Sequence, residues 1–246
     1  MFKVLVVIPT YNEKENIKKL LDEDFLLNPN IEILVVDDNS PDGTGKIVDD
    51  LIESDVYKGK LHIIHRSGKL GLGTAYIQGF NWGLENGFDI FISQDADFSH
   101  NPKYIKEMVE KISAGADVCI GSRYVAGGSI KNWGMIRKFI SKGGSLYAQI
   151  FLLSSIKDFT GGFNCYTRKS LETTNLNTIF SNGYCFQIEM KFRNVLAGLN
   201  IVEIPICFED RCVGKSKMNK KIFVEAIINV IKMTFQRKKI KNLMKK

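Results

Sequence analysis

Short apolar runs alternate with helix-patterned segments through the first half of the chain, and this alternation restricts the fold more than any other feature. Runs at residues 4–8, 31–36, 61–64, 90–93 and 116–120 read as strands, and the segments at 15–25, 44–52, 74–86 and 102–114 carry helical patterns. Such alternation predicts an α/β fold with a mostly parallel central sheet and helices on both faces. In sheets of this kind ligands sit beyond the carboxyl ends of the strands. The polar clusters of the chain fall there: Pro9-Thr-Tyr-Asn-Glu13, Asp37-Asp-Asn-Ser-Pro-Asp-Gly43, the stretch 66–73 and Asp95-Ala-Asp97 follow the first four runs in turn. Four clusters at four strand ends predict one cleft.

Asp95 and Asp97 form an Asp-x-Asp pair at the end of an apolar strand. Alternation along an extended chain would put both carboxylates on one side, where they can share a hard divalent cation that also grips a diphosphate. The pair alone is a common accident of loops, and Ser99 or Asn101 ahead of Pro102 reads equally as a helix N-cap. Gly68, Gly71 and Gly73 do not have the spacing of a dinucleotide fingerprint, and no Walker loop is present. A nicotinamide dehydrogenase and a P-loop enzyme are therefore disfavoured.

With 246 residues, 44% of them hydrophobic, and no low-complexity linker, the chain supports one main domain, 1–217, followed by an appendage, 218–246. The five cysteines are scattered without a Cys-x-x-Cys pair, which predicts buried thiols in a reducing compartment. The N-terminal apolar run is short and ends at Pro9, so it reads as a first strand rather than a targeting segment. No stretch reaches the roughly eighteen consecutive apolar residues of a membrane span. The net charge of +7 is concentrated at the end, where Lys232, Arg237, Lys238, Lys239, Lys241, Lys245 and Lys246 lie with no acid among them. No nucleic-acid module accompanies these cations, so no nucleic-acid partner is expected. A nearly all-apolar helix at 222–236 precedes them, the pattern of an interfacial anchor, and a second amphipathic segment spans 135–156. Peripheral membrane contact is the expectation, with packing against the domain as the plain alternative.

The motifs VVIPTYNEKENI, VVDDNSPDGT, GLGTAYIQG, QDADFSH, GSRY, DFTGGF, FQIEM and EIPICFEDRCVGKSK occur in this order between about residues 4 and 217. The set resembles the dolichyl-phosphate mannose synthases, family-two glycosyltransferases of the GT-A fold, whose central sheet is Rossmann-like. The resemblance implies inverting transfer of mannose from GDP-mannose to dolichyl phosphate, for glycoprotein and GPI-anchor assembly, at the cytosolic face of the endoplasmic reticulum. Members of this family differ in carrying C-terminal transmembrane helices or borrowing small membrane subunits, and this chain is similar to the short form.

Carried over residue by residue, the resemblance places Pro9, Tyr11 and Glu13 in the guanosine pocket, with Val36 and Asp38 beside the nucleoside. Pro9 and Asn12 read equally as a turn and Glu13 as a helix start, while Asp37 either joins Asp38 or braces the loop. It makes Asp95 and Asp97, with Ala96 between them, the site of Mg²⁺ or Mn²⁺ and the donor diphosphate, with Ser99 as a further metal neighbour. Arg211 and Lys217 would close over the leaving diphosphate and neutralise it. Arg123, Arg137 and Ser141 would hold the lipid phosphate, with Asp97, Arg123 and Arg211 central to catalysis. Arg137 and Ser141 are four apart and share a helix face. A phosphomonoester, with a second pKa of about 6, is already largely dianionic at neutral pH, so the acceptor needs no general base. Gln187 and Glu189 either meet sugar hydroxyls or serve the helix, Asp158 and Thr160 shape a turn, and His100 reads as a core residue. Two other readings are the same fold with another donor such as UDP-glucose, and a catalytically silent binding subunit, which would be expected to lack Asp97, Arg123 or Arg211.

Overall fold

The computed structural model describes residues 2–183, 185–209 and 220–245. The chain begins β1 (Val4–Thr10), α1 (Ile17–Leu27), β2 (Ile31–Asp37), α2 (Thr44–Ile52), β3 (Leu61–His65), α3 (Leu72–Glu85) and β4 (Ile90–Ser93). It continues through α4 (Ile105–Ser113), β5 (Val118–Ser122), β6 (Ser129–Lys131), α5 (Met135–Leu152), β7 (Asn164–Thr167) and α6 (Arg168–Thr174). The last elements are α7 (Cys185–Leu196), β8 (Ile201–Pro205), β9 (Cys207–Glu209), α8 (Lys220–Phe235) and α9 (Arg237–Leu243).

The central sheet runs β3-β2-β1-β4-β7-β5-β8. β1, β2, β3 and β4 pair in parallel, as the alternating pattern requires, because their helical crossovers return each strand in the same direction. β7 enters between β4 and β5 antiparallel to both, so the sheet is mixed. The expected strand at 116–120 starts two residues later, at Val118. A small parallel pair, β6 with β9, stands apart from the main sheet.

Side-chain alternation divides the core between the two faces of the sheet. Leu5, Val7, Leu34 and Val36 point into one cluster with Tyr76, Phe80 and Phe91, whereas Val4, Val6, Ile8, Ile33 and Val35 point into the other with Leu20, Leu21 and Met108. α3 lies close on the first face because it presents glycines to it. A Cβ on Gly79 would stand 2.5 Å from Val7 Cγ1, and one on Gly83 2.5 Å from Leu5 Cδ2. Cys119, Cys165 and Cys185 are buried free thiols.

The described part of the appendage, residues 220–245, packs against the rest of the chain. α8 lies against α5 and α7, α9 lies against α7, and Val230, Met233 and Ile240 are buried in the first core cluster. Asn175 donates to the carbonyl of Leu243 at 3.0 Å, and Thr234 Oγ1 donates to that of Phe151 at 3.2 Å. No helix among the described residues is long and apolar enough to cross a membrane.

Candidate active site

β4 ends at Ser93, and Asp95 and Asp97 stand in the turn that follows. Extended alternation is thus not what brings them together; the chain reverses, with Phe98 in the left-handed region at φ 63°. Tyr76 of α3 donates to Asp95 Oδ1 at 3.0 Å, and Nδ1 of His100 accepts the Asp95 amide at 2.9 Å. His100 is stacked on Phe163 with ring centroids 5.0 Å apart. Burial holds its pKa below the usual histidine value against the pull of Asp95 and Asp97, so it stays a neutral acceptor in the core, as its sequence context suggests.

Both carboxylates line a cavity of about 440 Å³. Its polar end also carries Ser99, Arg123, Arg137, Ser141, Thr160 and Gln187, and its other wall is apolar, from Phe139, Ile140, Tyr147, Ile188, Ile227 and Val230. Asp97, Arg123 and the α5 pair Arg137 and Ser141 are therefore brought to one space from three separate stretches of chain. Two carboxylates and neutral oxygens form a donor set suited to a hard divalent cation that completes its shell with phosphate oxygens. Ser99 borders the same space and is bonded to the pair itself. Its hydroxyl is 3% exposed and donates to Asp97 Oδ1 at 2.6 Å, so it orients that carboxylate.

Arg123 departs from expectation most. Its Nε and Nη2 each lie 2.7 Å from an oxygen of Asp158, and Nη2 also reaches Thr160 Oγ1 at 2.7 Å. Burial alone would raise the Asp158 carboxyl, but the Arg123 guanidinium, with Lys191 behind it, brings its pKa down to about 2. The pair is ionised and nearly dry, so Arg123 meets the cavity as half of a neutralised pair rather than as an uncompensated cation. Asp158, read from sequence as turn chemistry, is its counter-ion. The loop is fixed from below by buried Lys191, whose ammonium donates to the carbonyls of Asp158, Phe159 and Gly161 at 2.9, 3.2 and 2.6 Å.

Arg137 stands over the Trp133 ring, 4.0 Å from its centroid. Ser141 accepts a hydrogen bond from Tyr124 at 2.8 Å, one helical turn from Arg137 on α5. Trp133, Tyr147 and Phe208 are cavity residues that the sequence reading missed. The spacing of Trp133 and Arg137 is a cation–aromatic signal, whereas Phe208 arrives only through the β6–β9 pairing. Gln187 accepts from Asn164 at 3.0 Å and borders the cavity. Glu189 is structural: fully buried, it pairs with Arg193 at 2.7 Å and accepts the Ser181 amide.

The expected nucleoside residues form a second cluster, outside this cavity, at the ends of β1 and β2. Pro9, Tyr11 and Glu13 are half-buried, and Lys69 lies over the Tyr11 ring at 4.3 Å. The Glu13 amide donates to Thr44 Oγ1 at 3.0 Å. Asp38 is ion-paired with Arg66, a residue not singled out from sequence, at 2.5 Å. Asp37 braces the loop by accepting from Thr10 and Ser40 at 2.7 and 2.6 Å. The side chains of Val36 and Ala96 are core residues, so neither offers a side-chain contact to a donor. Arg211 and Lys217 lie outside the described residues.

Residues 5–174 match the model of glycosyl transferase family 2. The chain is 42% identical over 228 residues to polyprenol monophosphomannose synthase of Mycolicibacterium smegmatis, covering 93% of this chain and 85% of the relative. It is 45% identical over 228 residues to undecaprenyl-phosphate mannosyltransferase of Micrococcus luteus, covering 93% and 92%. Dolichol-phosphate mannosyltransferase of Pyrococcus furiosus is 37% identical over 235 residues, covering 94% of this chain and 63% of the relative. A crystal structure of glucosyl-3-phosphoglycerate synthase from Mycobacterium tuberculosis superposes with a TM-score of 0.66 at 17% identity, covering 95% of this chain and 80% of that one, which shows the shared GT-A fold. The chain belongs to glycosyltransferase family 2.

Proposed function

We propose that the protein is a polyprenyl-phosphate mannosyltransferase that takes mannose from GDP-mannose and places it on the phosphate of a membrane lipid. The observation that carries this reading is the two-ended cavity. A lipid phosphate fits its polar end, beside the carboxylate pair, and the first isoprene units fit the wall made by Ile140, Tyr147, Ile188 and Val230. The printed names of the three relatives join mannose or mannosyl transfer to polyprenyl, undecaprenyl and dolichyl carriers, which supports the class of acceptor without choosing a chain length. Dolichyl phosphate is one such carrier. The relatives come from prokaryotes, so an endoplasmic reticulum location and a role in GPI-anchor assembly rest on the motif resemblance alone.

Asp95 and Asp97 would hold Mg²⁺ or Mn²⁺ against the donor diphosphate. Such an ion stabilises the negative charge that gathers on the departing nucleotide. An acceptor phosphate oxygen, already anionic, forms the new bond to the anomeric carbon as the bond to the donor diphosphate breaks, and GDP leaves with that electron pair. Attack from the opposite face inverts the anomeric centre. Arg137 and Ser141, one turn apart on α5, position the acceptor phosphate, and the Arg123–Asp158 pair fixes the wall behind it.

The same helix presents Met135, Phe139, Leu146 and Ile150 to solvent, and neighbouring α8 presents Ile228 and Phe235. Lys138 and Lys142 are exposed on α5. This apolar face with cations is placed to rest on a membrane surface, beside the cavity that takes the lipid. The test is a panel of labelled GDP-mannose, UDP-glucose and other nucleotide sugars offered with a polyprenyl phosphate in detergent, with and without chelator. Metal-dependent transfer of mannose from GDP-mannose to the lipid fraction is expected. Transfer from UDP-glucose alone would overturn the donor assignment, and no transfer from any donor would favour a silent binding subunit.

A further inference from the structure

Asp24 and Gln94 contain two buried oxygens without partners, and a single proton would satisfy both. Asp24 is on α1, fully buried beneath the turn that carries Asp95 and Asp97. Its Oδ1 accepts from Nε2 of Gln94 at 3.1 Å, and that nitrogen also donates to the carbonyl of His100 at 3.1 Å, tying the two ends of the turn together. The remaining oxygens of the two linked groups, Asp24 Oδ2 and Gln94 Oε1, have no hydrogen-bond partner. Buried acceptors left in this way destabilise the fold, because each has given up its bonds to water without replacement.

An ionised Asp24 would worsen the position. Among the described residues no cation pairs with it, and the charged group acting on it, Glu23 of the same helix, is also acidic. Lys18 is paired with Asp22, and Lys103 of the adjoining turn is exposed over Tyr104. The groups of that turn and of the helix end that do reach this site, Asn28 and the Pro102 carbonyl, are neutral and bonded to each other.

We propose that Asp24 is a neutral carboxylic acid that donates its proton to Gln94 Oε1, closing a two-bond acid–amide ring that positions the Asp95–Asp97 turn. Asp24 touches no substrate; it is a positioning residue acting through Gln94, which directly precedes Asp95. Its effect on turnover rests on the reading of Asp95 and Asp97 as the donor-phosphate site, whereas its protonation does not. Burial, only partly opposed by the Gln94 hydrogen bond, lifts its pKa to about 8, in keeping with a proton retained at neutral pH. The folded value lies above the unfolded one. Between about pH 4 and pH 8 the unfolded chain therefore releases a proton that the folded chain keeps, and the folding constant falls by about tenfold per pH unit from this group.

Asp24→Asn separates the ring from a generic buried polar site. Its carboxamide can donate to Gln94 Oε1 and accept from Nε2, as the acid does, but it does not titrate. Asp24→Leu has similar size and makes neither bond. The expected results are wild-type kcat and donor KM in Asp24→Asn, loss of kcat in Asp24→Leu, and a wild-type Tm that falls relative to Asp24→Asn as the pH rises from about 5 to about 8. Difference infrared spectroscopy of wild type against Asp24→Asn at neutral pH should show the carbonyl band of a carboxylic acid. Absence of that band, or a Tm difference independent of pH, would overturn the proposal, as would an Asp24→Asn enzyme as impaired as Asp24→Leu. Should Asp24→Leu not fold, the band and the pH-dependent Tm difference still decide. Both would remain even if Asp97→Ala retained transfer, which would instead count against the donor site.

Discussion

Asp158→Asn tests the central structural feature of the acceptor wall. The Asp158 carboxylate accepts from Nε, Nη2 and the main-chain amide of Arg123 at 2.7, 2.7 and 3.0 Å, and from the Gly161 amide at 2.9 Å. An amide replaces one of those accepting oxygens with a donor, which meets guanidinium N–H groups head on, and it removes the counter-charge of an arginine that is 7% exposed. Leaving one member of a buried pair uncompensated costs about 3–5 kcal/mol. For a chain of this length each kcal/mol moves Tm by about 2–4 °C, so a fall of roughly 10 °C is expected.

The pH dependence supplies an independent magnitude. Asp158 is held down at about 2 in the folded protein against a reference of 3.8 by the Arg123 guanidinium, and it is fully buried, so the depression corresponds to stability on the order of 2 kcal/mol. The sign follows from the direction: the contribution is complete above about pH 4 and is lost as the pH falls towards 2. It is smaller than the mutational cost because protonation leaves the acid able to rearrange its bonds, whereas the amide confronts Arg123 with a donor. Thermal melts by circular dichroism between about pH 2 and pH 7, on wild type, Asp158→Asn and Asp158→Asn with Arg123→Met, measure both quantities. The double variant should recover part of the loss. An Asp158→Asn protein that melts within about 2 °C of wild type would show that the pair does not bear on stability, and the assignment of Arg123 as a neutralised wall residue would go with it.

Other consequences are accessible to simpler assays. Asp97→Ala should lower transfer by at least about a hundredfold with Tm preserved, because a divalent ion's stabilisation of leaving-group charge is worth several kcal/mol; undiminished turnover in excess chelator would contradict it. Arg137→Ala should reduce kcat/KM for the lipid phosphate by roughly 10–100-fold, the worth of a charged hydrogen bond, while GDP titrations stay unchanged; lost GDP affinity with intact acceptor kinetics would place Arg137 in the wrong half of the site. Gly79→Ala should cost about 1–3 kcal/mol in denaturant unfolding, since its Cβ would stand 2.5 Å from Val7, and a neutral result would mean that α3 can move off the sheet. Replacing Ile150 and Phe235 together with Glu should release the protein from anionic vesicles yet spare transfer to a short, water-soluble acceptor; unchanged sedimentation would remove the α5–α8 face from the membrane.

The parallel half of the fold was legible because each of its strands is an apolar run with its helix next in sequence. α2 falls at 44–52 as its pattern predicts, and β4 at 90–93. β7 was not legible: Asn164-Cys-Tyr-Thr is four residues long, and its place between β4 and β5 is set by partners more than forty residues away. The carboxylate pair, Arg137 and Ser141 could be read from local motifs and do share one cavity. Residues whose role is fixed by a distant partner could not. Arg123 carries the same charge in the sequence whether or not Asp158 neutralises it, and Val36 follows its motif whether it faces a nucleoside or Gly79.

The C-terminal cations show the same division between pattern and partner. As a sequence, Arg237 to Lys246 is a run of positive charge after an apolar helix, and removal of everything beyond Gln236 would be expected to affect anchoring alone. In the fold, Arg237 donates to the carbonyl of Leu152 at the end of α5, Ile240 is 1% exposed in the core, and the Leu243 carbonyl holds Asn175. Truncation would thus uncover the α7 packing surface and free the end of the helix that carries Arg137 and Ser141. Neutralising Lys238, Lys239 and Lys241 to Gln keeps those contacts and removes only charge. The Gln variant should bind anionic vesicles more weakly and with less salt dependence at an unchanged Tm, whereas truncation should lower Tm as well. Equal melting temperatures for truncated and full chains would mean that Ile240 contributes no net packing, and α9 would then be a charge carrier and nothing more.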